Sequence, residues 1–171
     1  MNLHIHRGLD QIGGNIIEVS TENTKILLDV GLDLDGSDSS SLPQIDGLFD
    51  FAGYDAIFIS HYHGDHLGLA YYSHKDIPIY IGEASYRIIQ ASDNYKKQEC
   101  IKPAGFLHSM QPIVVGNITV TPYLCDHSAF DSYMLFCEAN GETLLYTGDF
   151  RANGRKSFES LLRVLPCGVD K

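Results

Sequence analysis

The stretch His61-Tyr62-His63-Gly64-Asp65-His66 places three imidazoles and one carboxylate within six residues. It ends the apolar stretch 54–61, which predicts a strand buried on both faces of a sheet, and a helix is predicted to begin after it. Side chains two residues apart point the same way in an extended segment, so His61 and His63 can share one ion. The turn then presents the remaining carboxylate and imidazole to a neighbouring position. Because these are ligands of zinc, manganese and iron, and one ion cannot easily use all four at such short range, the stretch predicts two adjacent metal ions.

A second source of ligands lies further along the chain, where His127 follows one predicted strand and Asp149 follows another. The residues between them predict a β-hairpin with an Asn-Gly turn at 140–141. A hairpin returns to the sheet edge at which it began, so His127 and Asp149 should lie close together, where Asp149 could bridge two ions. Asp29 also ends an apolar strand. A carboxylate there could accept the free N–H of a metal-bound imidazole, or it could simply terminate the strand.

The apolar patterning predicts a mixed α/β protein with packed layers. Strands are predicted within residues 2–6, 15–21, 24–31, 54–61, 77–82, 112–124 and the hairpin 132–150, and helices from 63 onward and at 83–97 and 156–165. Residues 33–47 are rich in Asp, Ser and Gly and predict an exposed connection. No internal repeat or linker is visible, so the 171 residues predict one domain, 1–171.

The composition narrows the classes of partner. Twenty-two acidic residues against twelve Lys and Arg give a formal net charge of −10. This charge excludes a large basic footprint for nucleic acid or an anionic membrane, but not a local basic patch. No apolar run has the length of a membrane helix and the N-terminus has no signal-peptide core, which predicts a cytoplasmic protein with no membrane partner. The scattered cysteines predict reduced thiols: Cys100, Cys125, Cys137 and Cys167.

Four motifs occur in a fixed order: LLDVG at 27–31, HYHGDH at 61–66, DHS at 126–128 and TGDF at 147–150. Together they resemble the metallo-β-lactamase superfamily of metal-dependent hydrolases, and the residues from DHS through 156 resemble its β-CASP and ribonuclease J-like RNA-processing branch. The resemblance implies an αβ/βα sandwich with a dinuclear site. It assigns one metal to His61, His63 and His127, the other to Asp65 and His66, with Asp149 as the bridge and Asp29 as the hydrogen-bond partner of a liganding imidazole.

The chain departs from the family pattern in two ways. The family supplies one more histidine from a C-terminal strand, but no histidine follows Asp149. The β-CASP nucleases also insert a large domain after the TGDF motif, whereas this chain ends about twenty residues beyond it. The chain therefore resembles the N-terminal half to two-thirds of the fold, and the domain is expected to be incomplete at its C-terminus. Because this histidine is missing, the second position is expected to bind its metal ion weakly.

The site predicts hydrolysis by a metal-bound hydroxide that attacks phosphorus or a carbonyl carbon. Two divalent ions are expected, with zinc favoured and manganese or iron as alternatives. Asp65 and Asp149 are the catalytic candidates, and Asp65 would orient the attacking water or accept its proton. Arg151, Arg155 and Lys156 form a basic cluster beside the site that could bind a substrate phosphate, or they could be solvated loop charges.

The resemblance favours a phosphodiesterase of the ribonuclease type acting on RNA. The acidic net charge implies that tight binding of RNA needs a further C-terminal domain or a partner, which includes another copy of the chain. Two alternatives stay open. One is a small-molecule hydrolase of esters, thioesters or lactones with the same fold, and the other is a truncated metal-binding domain with little turnover.

Overall fold

Strands with alternating apolar side chains form two β-sheets that pack face to face in the computed structural model, which describes residues 1–34 and 42–171. In the first sheet, six strands lie side by side in chain order: β1 (Asn2–Arg7), β2 (Ile16–Ser20), β3 (Lys25–Val30), β4 (Ala56–Phe58), β5 (Ile79–Gly82) and β6 (Gly105–Leu107). In the second sheet, four strands do the same: β7 (Ile113–Val115), β8 (Ile118–Cys125), β9 (Ser132–Ala139) and β10 (Glu142–Tyr146). The helices are α1 (Gly64–Leu67), which continues as a 3₁₀ turn at Gly68–Tyr72, α2 (Glu83–Lys96) and α3 (Phe158–Val164).

The pairing of the strands follows the connections between them. β1, β2 and β3 form an antiparallel meander, and β3 to β6 run parallel, with α1 and α2 in the crossovers from β4 to β5 and from β5 to β6. The second sheet is antiparallel throughout. Its predicted hairpin is confirmed, because Asn140 and Gly141 both adopt positive φ, at 54° and 78°, as the tight turn between β9 and β10 requires.

Three apolar layers hold the sheets and helices together. Along β3, Ile26 and Leu28 point toward the second sheet, whereas Leu27 points toward the helices, as the two-residue period of a strand dictates. α2 packs its buried Ile89 on that outer face. On the far side, α3 packs its buried Leu161 against the second sheet. The order helix, sheet, sheet, helix confirms the predicted αβ/βα sandwich.

The structure differs from the sequence predictions in the connecting segments. β4 is shorter than the predicted strand 54–61, because the chain leaves the sheet at Ser60, whose amide donates to Asp29. β6 was not predicted, since three residues at a sheet edge carry too weak a pattern. Of the predicted connection 33–47, residues 35–41 lie outside the described part. The remainder is not fully exposed, because Ile45 is buried.

The longest helix in the described part of the chain is α2, with 14 residues. No helix among residues 1–34 and 42–171 combines the length and the apolar composition needed to cross a bilayer.

Candidate metal centre

Side chains from both sheets meet at one end of the sandwich, just beyond the ends of β3, β4, β8 and β10. The stretch His61 to His66 follows β4 and includes the start of α1, His127 follows β8, and Asp149 follows β10. Gly31 follows β3 and lets the start of α1 approach closely, because a Cβ there would lie 1.7 Å from the carbonyl oxygen of Asp65. The sequence motifs at strand ends thus converge because of the layer order of the fold.

The first cluster consists of His61, His63 and His127. His63 Nδ1 lies 3.2 Å from His61 Nε2 and 3.2 Å from His127 Nε2. Each imidazole therefore directs one ring nitrogen into the same small space, and the ligand atoms of the three residues lie within 4.8 Å of one another. Three convergent imidazole nitrogens are a typical donor set for zinc.

The second cluster surrounds His66. Its Nε2 lies 3.5 Å from Asp149 Oδ1 and 3.6 Å from Asp65 Oδ2. The other oxygen of Asp149, Oδ2, lies 3.7 Å from Nε2 of His127. The two oxygens of one carboxylate thus face both clusters, which is the arrangement a bridging ligand needs.

A buried carboxylate orients His66 from the opposite side. Asp29 adopts a positive φ of 59° as the extra residue of a β-bulge, since its neighbours Leu28 and Val30 pair with consecutive residues of β2. Its Oδ2 accepts hydrogen bonds at 2.7 Å from His66 Nδ1, Ser60 Oγ and Tyr146 OH, and its Oδ1 accepts from the Ser60 amide at 2.7 Å. Every one of these groups donates to Asp29.

This hydrogen-bonding pattern determines the tautomers of the buried histidines. Because a carboxylate only accepts, His66 Nδ1 carries a proton, so Nε2, which faces the second cluster, is the nitrogen that offers a lone pair when the ring is neutral. Ser60 Oγ donates to Asp29 and so accepts from His61 Nδ1, at 3.0 Å. His61 Nε2 then also keeps its lone pair for the first cluster. Both rings are therefore arranged to bind a cation, and the donor set fits divalent ions.

Burial and neighbouring charges set the protonation of these groups. Burial, followed by repulsion from His66, lowers the pKa of His61 to about 3, which keeps its imidazole neutral. Burial opposes ionisation of Asp29, but the hydrogen bond and charge of His66 outweigh it and lower the pKa of Asp29. Burial also opposes ionisation of His66 and so lowers its pKa. The hydrogen bond and the charge of Asp29 outweigh burial, and the net shift of the His66 pKa is upward. The imidazole of His61 is thus neutral and the carboxylate of Asp29 ionised, whereas the raised pKa of His66 means that a metal ion binding there competes with a proton.

The predicted basic cluster is arranged around the carboxylate of Asp126, which was not among the predicted site residues. Arg151 Nε donates to Asp126 Oδ2 at 2.5 Å, and the Lys156 amide donates to Asp126 Oδ1 at 3.1 Å. Lys156 Nζ donates to the carbonyl oxygen of Cys125 at 2.9 Å, whereas Arg155 is exposed. Gly154 allows this close approach, since a Cβ there would lie 1.2 Å from Asp126 Oδ2. The loop after Asp149 is thereby joined to the residue before His127.

Several residues of the centre carry no sequence signal of their own. Three of them come close to the predicted ligands only because the chain is folded: Ser60, Tyr146 and Asn15. Asn15 Nδ2 lies 3.3 Å from His66 Nε2. Asp126 could have been noticed as the carboxylate that precedes His127. The four histidines at positions 4, 6, 74 and 108 lie outside both clusters.

Comparisons with known proteins agree with this fold. The family profile described as the beta-lactamase superfamily domain matches residues 24–164. An RNase J-like protein of Methanocaldococcus jannaschii is 29% identical over 158 residues, which are 86% of this chain and 36% of that protein. The chain therefore spans about a third of the length of this curated relative.

Solved structures show the same architecture. A protein of unknown function from Enterococcus faecalis V583 superposes with a TM-score of 0.81 and 26% identity over 94% of this chain and 46% of that one. The metallo-beta-lactamase fold protein YhfI from Bacillus subtilis superposes with a TM-score of 0.58 and 19% identity, over 86% of this chain and 62% of that one. The chain belongs to the beta-lactamase superfamily and has the metallo-beta-lactamase fold.

Proposed function

We propose that this chain hydrolyses phosphodiester bonds in RNA with the help of two divalent metal ions. The observation that carries the proposal is the pair of ligand clusters that share the Asp149 carboxylate, with its oxygens 3.5 Å from His66 and 3.7 Å from His127. The similarity to an RNase J-like protein supports RNA as the substrate.

His61, His63 and His127 would hold one ion, and His66, Asp65 and Asp149 would hold the other. Zinc is the expected metal, because imidazole and carboxylate donors suit it, and manganese or iron are the alternatives. When bound, such ions lower the pKa of a coordinated water and stabilise negative charge that develops on a phosphate oxygen. The second position would have one imidazole ligand and two carboxylates against three imidazoles at the first, so we expect it to bind zinc more weakly.

The residues of the chain supply positioning and a proton acceptor. Asp65 lies at the mouth of the second cluster, with a partly exposed carboxylate that can accept the proton of an attacking water. Asp149 is 49% exposed, so its carboxylate faces the space where a substrate phosphate would sit. Asp29 positions His66 through the 2.7 Å hydrogen bond, and it does not contact the substrate space because it is fully buried.

Residues 151–156, the basic loop, would contact phosphate groups of the RNA backbone. Arg155 is exposed, and Arg151 is 43% exposed although its Nε is bonded to Asp126, so parts of both guanidinium groups can still contact an anion. The net charge of −10 opposes an extended RNA footprint on this chain. We therefore place only the local phosphate contacts in this loop.

The test is metal-dependent cleavage of a 5′-labelled single-stranded RNA by the chain supplied with zinc or manganese. His63→Ala and Asp149→Ala should each lower the rate at least about 100-fold, because each removes a ligand whose partners remain in place. His108→Ala is the matched control, since His108 is exposed on a loop away from both clusters. Cleavage that survives both ligand substitutions would exclude this function.

The acidic net charge favours one second candidate, a hydrolase of small esters, thioesters or lactones. A panel containing a phosphodiester, an ester, a thioester and a lactone separates the two candidates by their relative kcat/KM. If no substrate turns over but elemental analysis finds bound transition metal, the chain is a metal-binding domain with little turnover.

A further inference from the structure

Phe130 exposes an aromatic ring beside the candidate metal centre. It lies three residues after His127 in the connection to β9, and 62% of its surface is exposed. The residues on either side are less exposed, since Ala129 is fully buried and Asp131 is half-buried. The exposed ring thus lies on the same loop as the candidate ligand His127.

The backbone of Phe130 is held on both sides. Its amide donates to Tyr62 OH at 3.3 Å, and its carbonyl oxygen accepts from Ser85 Oγ at 3.1 Å. Ser85 is itself fully buried in α2. The ring is therefore presented by a rigid part of the fold, so little conformational entropy would be lost when a ligand packs on it.

The same contacts place the ring next to the centre. Tyr62, whose hydroxyl accepts from the Phe130 amide, has its ring centroid 5.6 Å from that of His63. Lys156 Nζ lies 5.6 Å from the centroid of the Phe130 ring and is held there by its bond to the Cys125 carbonyl. The ring thus has a cation close to it and still offers most of its surface to solvent.

We propose that Phe130 is a stacking platform for one unpaired nucleobase of the substrate, next to the phosphate that the centre would cleave. The inference rests on the proposed function and assigns it a single-stranded substrate. Every nucleobase has a π face, so stacking adds affinity without sequence preference. Stacking also supplies a contact that does not depend on positive charge, which suits a chain with a net charge of −10. Lys156 adds a positive charge beside the stacked base.

The experiment measures whether the effect of removing the Phe130 ring on oligonucleotide affinity depends on one particular base, which is the coupling between the ring and that base. The probe is a fluorescein-labelled five-nucleotide oligoadenylate with phosphorothioate linkages, which resist hydrolysis, and its binding to the manganese-loaded chain is followed by anisotropy. Five further oligonucleotides each lack one base. Phe130→Leu should weaken binding of the complete oligonucleotide at least about fivefold. For the oligonucleotide that lacks the stacked base, the same substitution should have no effect.

Two variants control the result. Phe130→Trp should restore or strengthen binding, because tryptophan offers a larger π face. Tyr95→Leu should leave binding unchanged, because Tyr95 is 90% exposed near the end of α2 and has no contact with Phe130 or with a residue of the ligand clusters among the described interactions. The exposed position of Phe130 makes unfolding of the leucine variant unexpected, and a thermal melt of each variant verifies this.

The stacking role is overturned if Phe130→Leu binds the complete oligonucleotide within twofold of wild type, if no abasic position removes its effect, or if the wild-type chain shows no binding at 1 mM. Coupling found at Phe150, whose ring stacks on Phe158, but not at Phe130 also overturns it. Binding does not require turnover. Base-specific coupling without RNA cleavage would therefore contradict only the proposed function, and cleavage without coupling would contradict only the stacking role.

Discussion

Replacement of Asp29 by Asn removes one charge from the centre and keeps the size and shape of the side chain. Asparagine also tolerates the positive φ of 59° at this position, so the backbone of the bulge is not strained by the change. Its oxygen can still accept from the Ser60 amide. Its NH₂ group, however, would face the three donors that now bond to Oδ2: Ser60 Oγ, His66 Nδ1 and Tyr146 OH.

The expected loss of folding stability follows from these three hydrogen bonds to Oδ2. A hydrogen bond to a charged group contributes about 1.5–3 kcal/mol, and the two hydroxyls can rotate to recover part of it. We expect a net loss of about 3–5 kcal/mol, the range found when one partner of a buried charged pair is removed. For a chain of this length the melting temperature then falls by roughly 10 °C.

The assay is thermal and urea unfolding of the chain in excess chelator, so that weakened metal binding does not contribute to the difference. Asp55→Asn is the matched control: its exposed carboxylate accepts one hydrogen bond, from the Lys25 amide at 2.8 Å, which the amide oxygen of asparagine can replace. The control should stay within about 0.5 kcal/mol of wild type. An Asp29→Asn chain that unfolds within about 1 kcal/mol of wild type would refute the hydrogen-bond argument.

Three further predictions concern the loop, the thiols and the metal. Gly154→Ala should accelerate tryptic cleavage in the loop 151–156 severalfold, because its Cβ would displace the loop from Asp126; an unchanged cleavage rate would contradict this contact. Burial raises the pKa of Cys125 to about 11 and that of Cys137 to about 12, so at pH 8 Ellman's reagent should modify exposed Cys167 at once and these two only after unfolding. Their rapid modification in the folded chain would contradict the burial. Zinc at 100 times its Kd should stabilise the chelator-treated chain by about 2.7 kcal/mol, whereas calcium, which prefers oxygen ligands, should not. Equal effects of the two ions, or no effect of zinc, would contradict the imidazole-rich site.

Local periodicity explains why much of the candidate centre could be predicted. His61 and His63 share a direction because they are two residues apart in an extended segment, and the structure brings their ring nitrogens to 3.2 Å. His127 and Asp149 meet because a hairpin connects them, and the tight turn at 140–141 forms as its sequence requires. These arguments need only the geometry of strands and turns, which neighbouring residues determine.

The contacts of Asp29 could not be predicted in the same way. The sequence left open whether this carboxylate binds an imidazole or only ends a strand. The bulge that turns it inward depends on a register shift against β2, and its partner Tyr146 lies 117 residues away in the other sheet. No local pattern encodes a contact between two sheets, because it depends on how the sheets pack.

The sequence by itself determined the kinds of ligand, their order along the chain and the layered α/β architecture, because periodicity and turn chemistry act over a few residues. Only the tertiary structure decided which charges of the basic loop, residues 151–156, bond to the end of β8. Arg151 and Arg155 are both exposed, but Arg151 donates to Asp126, and the half-buried Lys156 donates to the carbonyl oxygen of Cys125. The physical reason is the close approach of this loop to the end of β8, which exists only once the second sheet and α3 have packed together.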